Sequence, residues 1–364
     1  MRRVAIVLPP REGFSPGNAG AIALLVRRMA GPGDVVLGLA QAAPFADVRF
    51  QAVRPSWFPG NLARRYAGGV AREIGRIGVG LVEVHNRPDV ALFLARRFPA
   101  LPVVLFLHND PHGMRGMKTP AERGRLLARL ARVVTVSEHL ARRVMAGVSA
   151  PAPSVLPNCV DLSEVPAGLG RRQTILFAGR VVSDKGADSF VAACGMALPQ
   201  LPGWTAEIVG ADRFGPDSPE TPWLAALRPK AAAAGVAMLG YRPHGAVLAA
   251  MAAAAIVVVP SRWAEPFGLT ALEAMACGAV LVASDRGGLP EVYGDAAVVI
   301  DPDDPAGMAA AIVALARDPA RRGEMAARGL QRARLFDAAV ARQRLDALRS
   351  DVLAAWSNAG RHPI

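Results

Sequence analysis

The chain is poor in cysteine. Its three, Cys159, Cys194 and Cys277, show no CxxC spacing and have no histidine beside them. That argues against both a disulfide framework and a thiolate zinc site, and it fits a reducing, cytoplasmic compartment. Aromatic residues make up only 5% of the 364 residues. None of them interleaves with arginine as a nucleic-acid stacking platform would require. Lysine is scarce beside arginine, which reflects genome composition rather than chemistry. Long apolar runs are also missing. The longest, Ala246–Val259, has 14 residues, too few to span a bilayer, and it divides into an Ala-rich helix and a strand. The N-terminal Met1 to Pro10 stretch has a basic start but only a short apolar run before two prolines, so it reads as a first strand and not a signal peptide. No GxGxxG with a downstream acidic residue occurs, which disfavours an NAD oxidoreductase.

What is present points to two domains. The apolar content is 52% without a repeat period, enough for two cores of about 150–180 residues each. Helical and strand patterns alternate, so the expected fold class is α/β with parallel sheets. The net charge of +12 is unevenly placed. Residues 1–165 hold 22 Lys+Arg and 11 Asp+Glu, whereas residues 166–364 hold 20 and 19. The basic excess sits in helical patches at Arg64-Arg65, Arg72, Arg76, Arg96-Arg97 and Arg123 through Arg143. A solvated face is one reading of these patches, and peripheral docking on an anionic membrane is the other.

In the first half, strands at Val4–Leu8, Leu81–His85, Val103–Leu107 and Val133–Val136 each run into a polar or glycine-bearing turn. The first turn carries Gly13, Gly17 and Gly20 and allows a ligand close to backbone. The second begins Asn86-Arg87, and the third reads His108-Asn109-Asp110-Pro111-His112. Polar groups at several strand ends of one α/β sheet read as a single crevice. His108 with Asp110 suits acid–base or orienting work; the alternative is a helix N-cap at Asp110 and a structural histidine. Leu162 to Arg172, with Pro166, Gly168 and Gly170, reads as a domain linker.

The second half restarts with a strand at Thr174–Ala178, followed by Gly179-Arg180 and Lys185-Gly186. Two fixed cations there would neutralise a diphosphate without a metal; the alternative is a solvated surface loop. Further strands fall at Ala206–Val209, Val236–Leu239, Ile256–Val259, Val280–Ala283 and Ala297–Ile300. The stretch from Ser261 to Gly278 carries most of the chemistry. It turns through Glu265-Pro266-Phe267-Gly268 and enters a helix with Glu273 eight residues after Glu265. Strand, turn and helix place backbone N–H groups at a sheet edge, where an anion belongs. Carboxylates on either side of a bound diphosphate match the layout of a nucleotide-sugar. Gly287-Gly288 offers a second set of N–H groups, or simply a tight turn at Pro290. Asp301-Pro302-Asp303-Asp304 resembles a metal-binding DxD, but Asp304-Pro305 opens a helix and Asp304 suits an N-cap. Amphipathic helices follow at Pro305–Arg317, Pro319–Leu335 and Ala338–Trp356.

Gly179-Arg180 to Lys185-Gly186, Glu265-Pro-Phe-Gly-Leu269 to Glu273-Ala-Met-Ala-Cys-Gly278, and Gly287-Gly-Leu-Pro-Glu291 occur in an order that resembles glycosyltransferase family 4. Members are retaining, nucleotide-sugar-dependent enzymes of the GT-B fold. The resemblance implies two facing Rossmann-like domains with the active site in the cleft between them. Residues 1–165 would bind the acceptor and residues 166–335 the donor, and the helix in 336–364 would cross back to the first domain. Arg180 and Lys185 would hold the diphosphate, Glu265 the sugar hydroxyls and Glu273 the ribose. Phe267, Gly268 and Leu269 would form the donor-binding turn, and Gly17 would lie near the donor phosphates. His108 would sit at the reacting centre, with Asn86, Arg87, Asn109 and Asp110 on the acceptor side. Same-face attack assisted by the leaving phosphate is implied, with no metal and no cofactor beyond the donor itself.

The first loop departs from the family in reading Gly17-Asn-Ala-Gly20 where many members have adjacent glycines. Asn158-Cys-Val-Asp161 replaces a common Asn-Gly-Val-Asp. The segments Glu83–Arg87 and His108–His112 look like a subset acting on bacterial lipopolysaccharide or exopolysaccharide. The expected activity is hexose transfer from a UDP- or GDP-sugar to a glycolipid or glycan hydroxyl, on the inner face of the cytoplasmic membrane. The alternatives are an epimerase or sugar phosphorylase on the same fold, or a non-catalytic sugar-nucleotide-binding protein. Base recognition is expected from the Gly240–His244 loop.

Overall fold

The computed structural model describes residues 3–57, 61–166, 170–212 and 220–360. Gly168 of the linker stretch lies outside them. From the N-terminus the elements are β1 (Val4–Val7), α1 (Ala21–Met29), β2 (Val35–Leu39), β3 (Phe50–Val53), α2 (Leu62–Ile77), β4 (Leu81–His85), α3 (Pro88–Arg97), β5 (Val103–Leu107), α4 (Pro120–Arg129), β6 (Arg132–Thr135), α5 (Glu138–Met145) and β7 (Ser154–Val155). They continue with β8 (Arg172–Ala178), α6 (Ala187–Ala197), β9 (Thr205–Val209), α7 (Pro222–Ala233), β10 (Val236–Met238), α8 (His244–Ala253), β11 (Ala254–Val259), α9 (Leu269–Ala276), β12 (Val280–Ala283), α10 (Leu289–Tyr293), β13 (Ala297–Val299), α11 (Pro305–Arg317), α12 (Pro319–Arg334) and α13 (Ala338–Asn358). The chain divides into two compact units, Met1–Cys159 with Ala338–Ile364, and Val160–Asp337.

Each unit is built on one parallel sheet. The orders are β3-β2-β1-β4-β5-β6-β7 and β10-β9-β8-β11-β12-β13. The central strands are apolar on both faces, as Val103–Leu107 and Ala254–Val259 show by being buried throughout. A sheet of such strands is stable only when helices cover both sides. In the first unit α2 to α5 cover one face through Tyr66, Val70, Leu94, Leu126 and Val144. The opposite face takes α1 and α13 through Leu25, Val26, Leu345 and Val352. Some helix starts are set by side-chain caps that satisfy first-turn N–H groups, such as the Thr119–Glu122 capping box of α4 and Asp304 on α11. None of the described helices is long and apolar enough to cross a membrane. These are two Rossmann-like units, the architecture expected of a GT-B protein.

Strands β2, β3 and β7 were not foreseen from sequence. Gly38 interrupts the apolar run of β2, β3 is half-buried over three of its four residues, and β7 has only two residues. In both sheets the order reverses at the middle, between β1 and β4 and between β8 and β11. Ligands of open α/β sheets bind at such reversals, beyond the carboxyl ends of the strands.

Helix α13 is held by a buried charge cluster. The Arg349 guanidinium forks onto Glu83 of β4, Nε to Oε1 at 2.7 Å and Nη2 to Oε2 at 2.9 Å, and its Nη1 donates to Asp34 at 3.0 Å. All three side chains are buried. Burial opposes the arginine's charge, but Glu83 and Asp34 more than offset it and raise its pKa. Glu83 therefore anchors α13. Removing one member strands the remaining charges in the core. Arg349→Ala should cost about 3–5 kcal/mol, read from denaturant midpoints. An apolar replacement of Arg349, Glu83 and Asp34 together should cost less than Arg349→Ala alone. A loss below about 1 kcal/mol for Arg349→Ala would contradict the anchoring role.

Candidate active site

In the second unit, β8 leaves the sheet at Gly179 and β11 at Pro260, so the two loops emerge side by side at the strand-order reversal. Glycines bring these loops into contact. Gly186 caps α6 with φ +72°, and a Cβ there would lie 1.9 Å from the Pro260 carbonyl oxygen. Gly287 has φ +69°, and its Cβ would lie 2.3 Å from the Glu265 carbonyl oxygen. Gly288 N–H donates to that same oxygen at 2.7 Å. Only glycine permits both approaches.

Within this frame Lys185 Nζ pairs with Glu265 Oε1, which also accepts from Ser261 Oγ at 2.8 Å. Glu265 is buried, and Ser261 is fixed by Ser284, whose Oγ donates to its carbonyl at 2.7 Å. Helix α9 begins at Gly268, φ +109°, with no side-chain cap. Ala271 N–H donates to the Gly268 carbonyl at 3.1 Å, and among the described residues no side chain takes the N–H of Leu269. The Phe267 side chain is buried edge-on to Phe336, so its contribution is to anchor the turn.

Arg180 and Lys185 are placed differently. Lys185 is held by Glu265, whereas Arg180 is exposed and lines a cavity of about 200 Å³ with Gly179, Gly210, Tyr241, Thr270 and Glu273. Sequence reasoning missed Arg262. Its guanidinium joins Asp188 at 2.7 Å, Asp303 at 2.6 Å, Ser189 Oγ at 2.6 Å and the Ser183 carbonyl at 2.9 Å. It ties the Lys185 turn to the Ser261 loop, and no local pattern signals it because Asp188 and Asp303 lie 74 and 41 residues away. Asp303 is thus an ion-pair partner of Arg262, and Asp304 caps α11.

In the first unit, the β4 and β5 ends bring His85 and His108 together, Nδ1 to Nε2 at 2.9 Å, with the His85 ring stacked on Phe106. The expected pairing of His108 with Asp110 is not formed. Asp110 accepts from Arg143 at 2.7 Å and from His112 N–H at 2.9 Å, which caps the short turn at Pro111–Gly113. Burial raises the Asp110 pKa, but Arg143 and the turn outweigh it and leave the group lowered. Asn86 adopts φ +56° and its Oδ1 accepts from His108 N–H at 3.1 Å. Arg87 pairs with Asp89 at 3.2 Å, and Asn109 is exposed.

Burial drives the His108 pKa down to about 4, with a hydrogen bond to Asn158 working the other way. Burial also holds His85 well below its ordinary value, helped by His108 and Arg349. His85 Nε2 is buried with no partner, so a neutral ring with the proton on Nδ1 is the least costly tautomer.

The first loop is organised differently from its expected part as an anion site. Glu12 Oε1 accepts from Ala23 N–H at 3.0 Å, so a carboxylate of this chain already occupies the start of α1. Burial raises its pKa, and hydrogen bonds from Ala23 and Ile22 partly counter that. Gly17 is exposed with open space around it.

Two parallel Rossmann-like units, the second with cations and carboxylates gathered at its strand-order reversal, define an α/β protein whose polar groups lie where ligands of open sheets bind. Comparison with known proteins narrows the class. The sequence model "Glycosyltransferase Family 4" matches residues 21–164, and "Glycosyl transferases group 1" matches residues 172–318. Together they span most of the chain, which belongs to this glycosyltransferase family. It is 35% identical over 178 residues to a glycogen synthase of Mycobacterium tuberculosis, covering 46% of this chain and 40% of that protein. It is 33% identical over 181 residues to the lipopolysaccharide core biosynthesis mannosyltransferase LpsB of Rhizobium meliloti, covering 47% and 50%. The chain thus spans half or less of these relatives. Among solved structures, Anabaena Alr3699/HepE in complex with UDP superposes with a TM-score of 0.77 at 19% identity, covering 96% of this chain and all of that one.

The buried histidines make stability pH-dependent. Both are neutral when folded near pH 7 and gain protons more readily when unfolded. Below the ordinary value of 6.5 the unfolded chain binds more protons, so stability falls as pH drops toward about 4. His108 alone contributes up to about 3 kcal/mol of that loss. Denaturation at pH 7.5 and 4.5 should show it, and His85→Gln with His108→Gln should flatten the slope. An unchanged slope in that double variant would contradict the neutral pair.

Proposed function

We propose that the chain is a retaining hexosyltransferase that moves a hexose from a nucleotide-sugar to a hydroxyl of a glycolipid or growing glycan. The observation that carries this reading is the convergence of Lys185, Glu265 and Ser261 beside the uncapped start of α9. Lys185 and Arg180 would neutralise the diphosphate, and N–H groups of α9 would take its oxygens. Glu265 would accept from donor-sugar hydroxyls and Glu273 from the ribose. The bond from the anomeric carbon to the phosphate oxygen breaks, and the acceptor oxygen bonds to the same face. The acceptor's proton passes to the departing phosphate. In the first unit, His108 is carried as a candidate at the reacting centre, and Asn86, Arg87, Asn109 and Asp110 are carried as acceptor-side candidates. Gly17, with open space around it, is carried as a donor-phosphate contact.

A role in cell-surface glycan assembly draws support from the likeness to LpsB, named for lipopolysaccharide core biosynthesis. Contact with anionic lipid rests on the basic excess of residues 1–165. Co-sedimentation of the whole chain with phosphatidylglycerol vesicles should weaken as salt rises. Binding that salt does not change would remove that part of the proposal.

Lys185→Ala and Glu265→Ala should each lower kcat/KM for hexose transfer by about 100-fold or more while the folded circular-dichroism spectrum persists. Near wild-type turnover in either would overturn the site assignment.

A further inference from the structure

Glu273 is engaged by a residue whose role the motif spacing does not disclose. Its Oε1 accepts from His244 Nε2 at 2.7 Å. Both side chains are largely shielded, 30% and 12% exposed for His244 and Glu273. Glu273 lines the cavity of about 200 Å³ that also has Arg180, Tyr241 and Thr270 in its wall. Its Oε2 has no hydrogen-bond partner among the described residues. A carboxylate only accepts, so His244 Nε2 carries the hydrogen, and the bond fixes the plane of the carboxyl group. His244 is itself fixed as the first residue of α8, directly after Pro243. One oxygen is thus occupied by the protein while the other is left for a ligand hydroxyl in a partly desolvated wall.

We propose that His244 is a positioning residue for Glu273, and that the pair, rather than Glu273 alone, selects ligands carrying a ribose diol. This rests on the reading of the cavity as the nucleotide end of the donor site. A freely rotating carboxylate would spread its acceptor lone pairs over many directions, whereas a pinned one offers Oε2 in a single orientation. The effect belongs to ribose recognition and leaves diphosphate contacts at Lys185 untouched.

The test uses calorimetric titration of the full chain with UDP, GDP and ADP, then with the tightest of these and its 2′,3′-dideoxy counterpart. The wild type should prefer the ribose form by at least about tenfold, the range for hydrogen bonds to a charged group. Glu273→Ala should bring the ratio near one. His244→Ala should lower it at least about fivefold with the dideoxy affinity unchanged. His244→Gln, whose amide N–H can take the place of Nε2–H, should restore most of it. Loss of preference in Glu273→Ala but not in His244→Ala overturns this inference alone. Equal weakening of both ligands by His244→Ala also overturns it, since that marks a merely structural role. A wild type without preference, or without binding of any of the three diphosphates, removes the ribose reading itself and the inference with it.

Discussion

The contact between Lys185 and Glu265 spans 80 residues of sequence and closes the strand-order reversal of the second sheet. Everything around it serves to bring those two loops within reach. Gly186 lets the lysine turn lie against Pro260, Gly287 lets a third loop lie against the backbone of Glu265, and Arg262 clamps Asp188 and Asp303 from behind. A lysine and a glutamate this shielded hold each other because neither is well solvated. An anion arriving beside Lys185 would re-divide that charge. The pair therefore suits a site whose ligand brings both negative phosphate for the lysine and hydroxyls for the carboxylate.

The first unit works by the opposite principle. Beside its reversal point, the ends of β4 and β5 carry two neutral, stacked histidines in place of a charge pair, and Arg349 holds Glu83 and Asp34 in the buried contact with α13. Arg96 and Arg97 of α3 and Arg125 and Arg129 of α4 stay at the surface, whereas Arg123 of α4 is buried and donates to the carbonyls of Met117 and Val144. Charge is thus used structurally inside this unit and as an outward field on it, while the two rings at the strand ends are buried against each other.

Much of the fold was legible because parallel strands are apolar on both faces and stand out as short β-branched runs. Leu81–His85, Val103–Leu107 and Val280–Ala283 have the same bounds in the sequence reading and in the structure. Strands β2, β3 and β7 escaped because a glycine, partial exposure or two-residue length removed that signal. Within the candidate site, the loops were legible from their glycines, but the partners were not. Asp110 turns to Arg143 and not to His108, Glu12 fills the start of α1, and His244 reaches Glu273. Each of those contacts joins groups 11 to 33 residues apart that periodicity does not relate, so only the packed structure discloses them.

If the second unit binds a nucleotide-sugar at its strand-order reversal, as proposed, that ligand must stabilise its fold. Thermal melting of the whole chain with UDP, GDP, ADP and their hexose conjugates tests it most directly. One nucleotide is expected to stabilise the fold, by about 2.7 kcal/mol at one hundred times its Kd, and Lys185→Ala to weaken the effect. No shift with any of them would rule out a nucleotide-sugar site there and leave these loops as architecture.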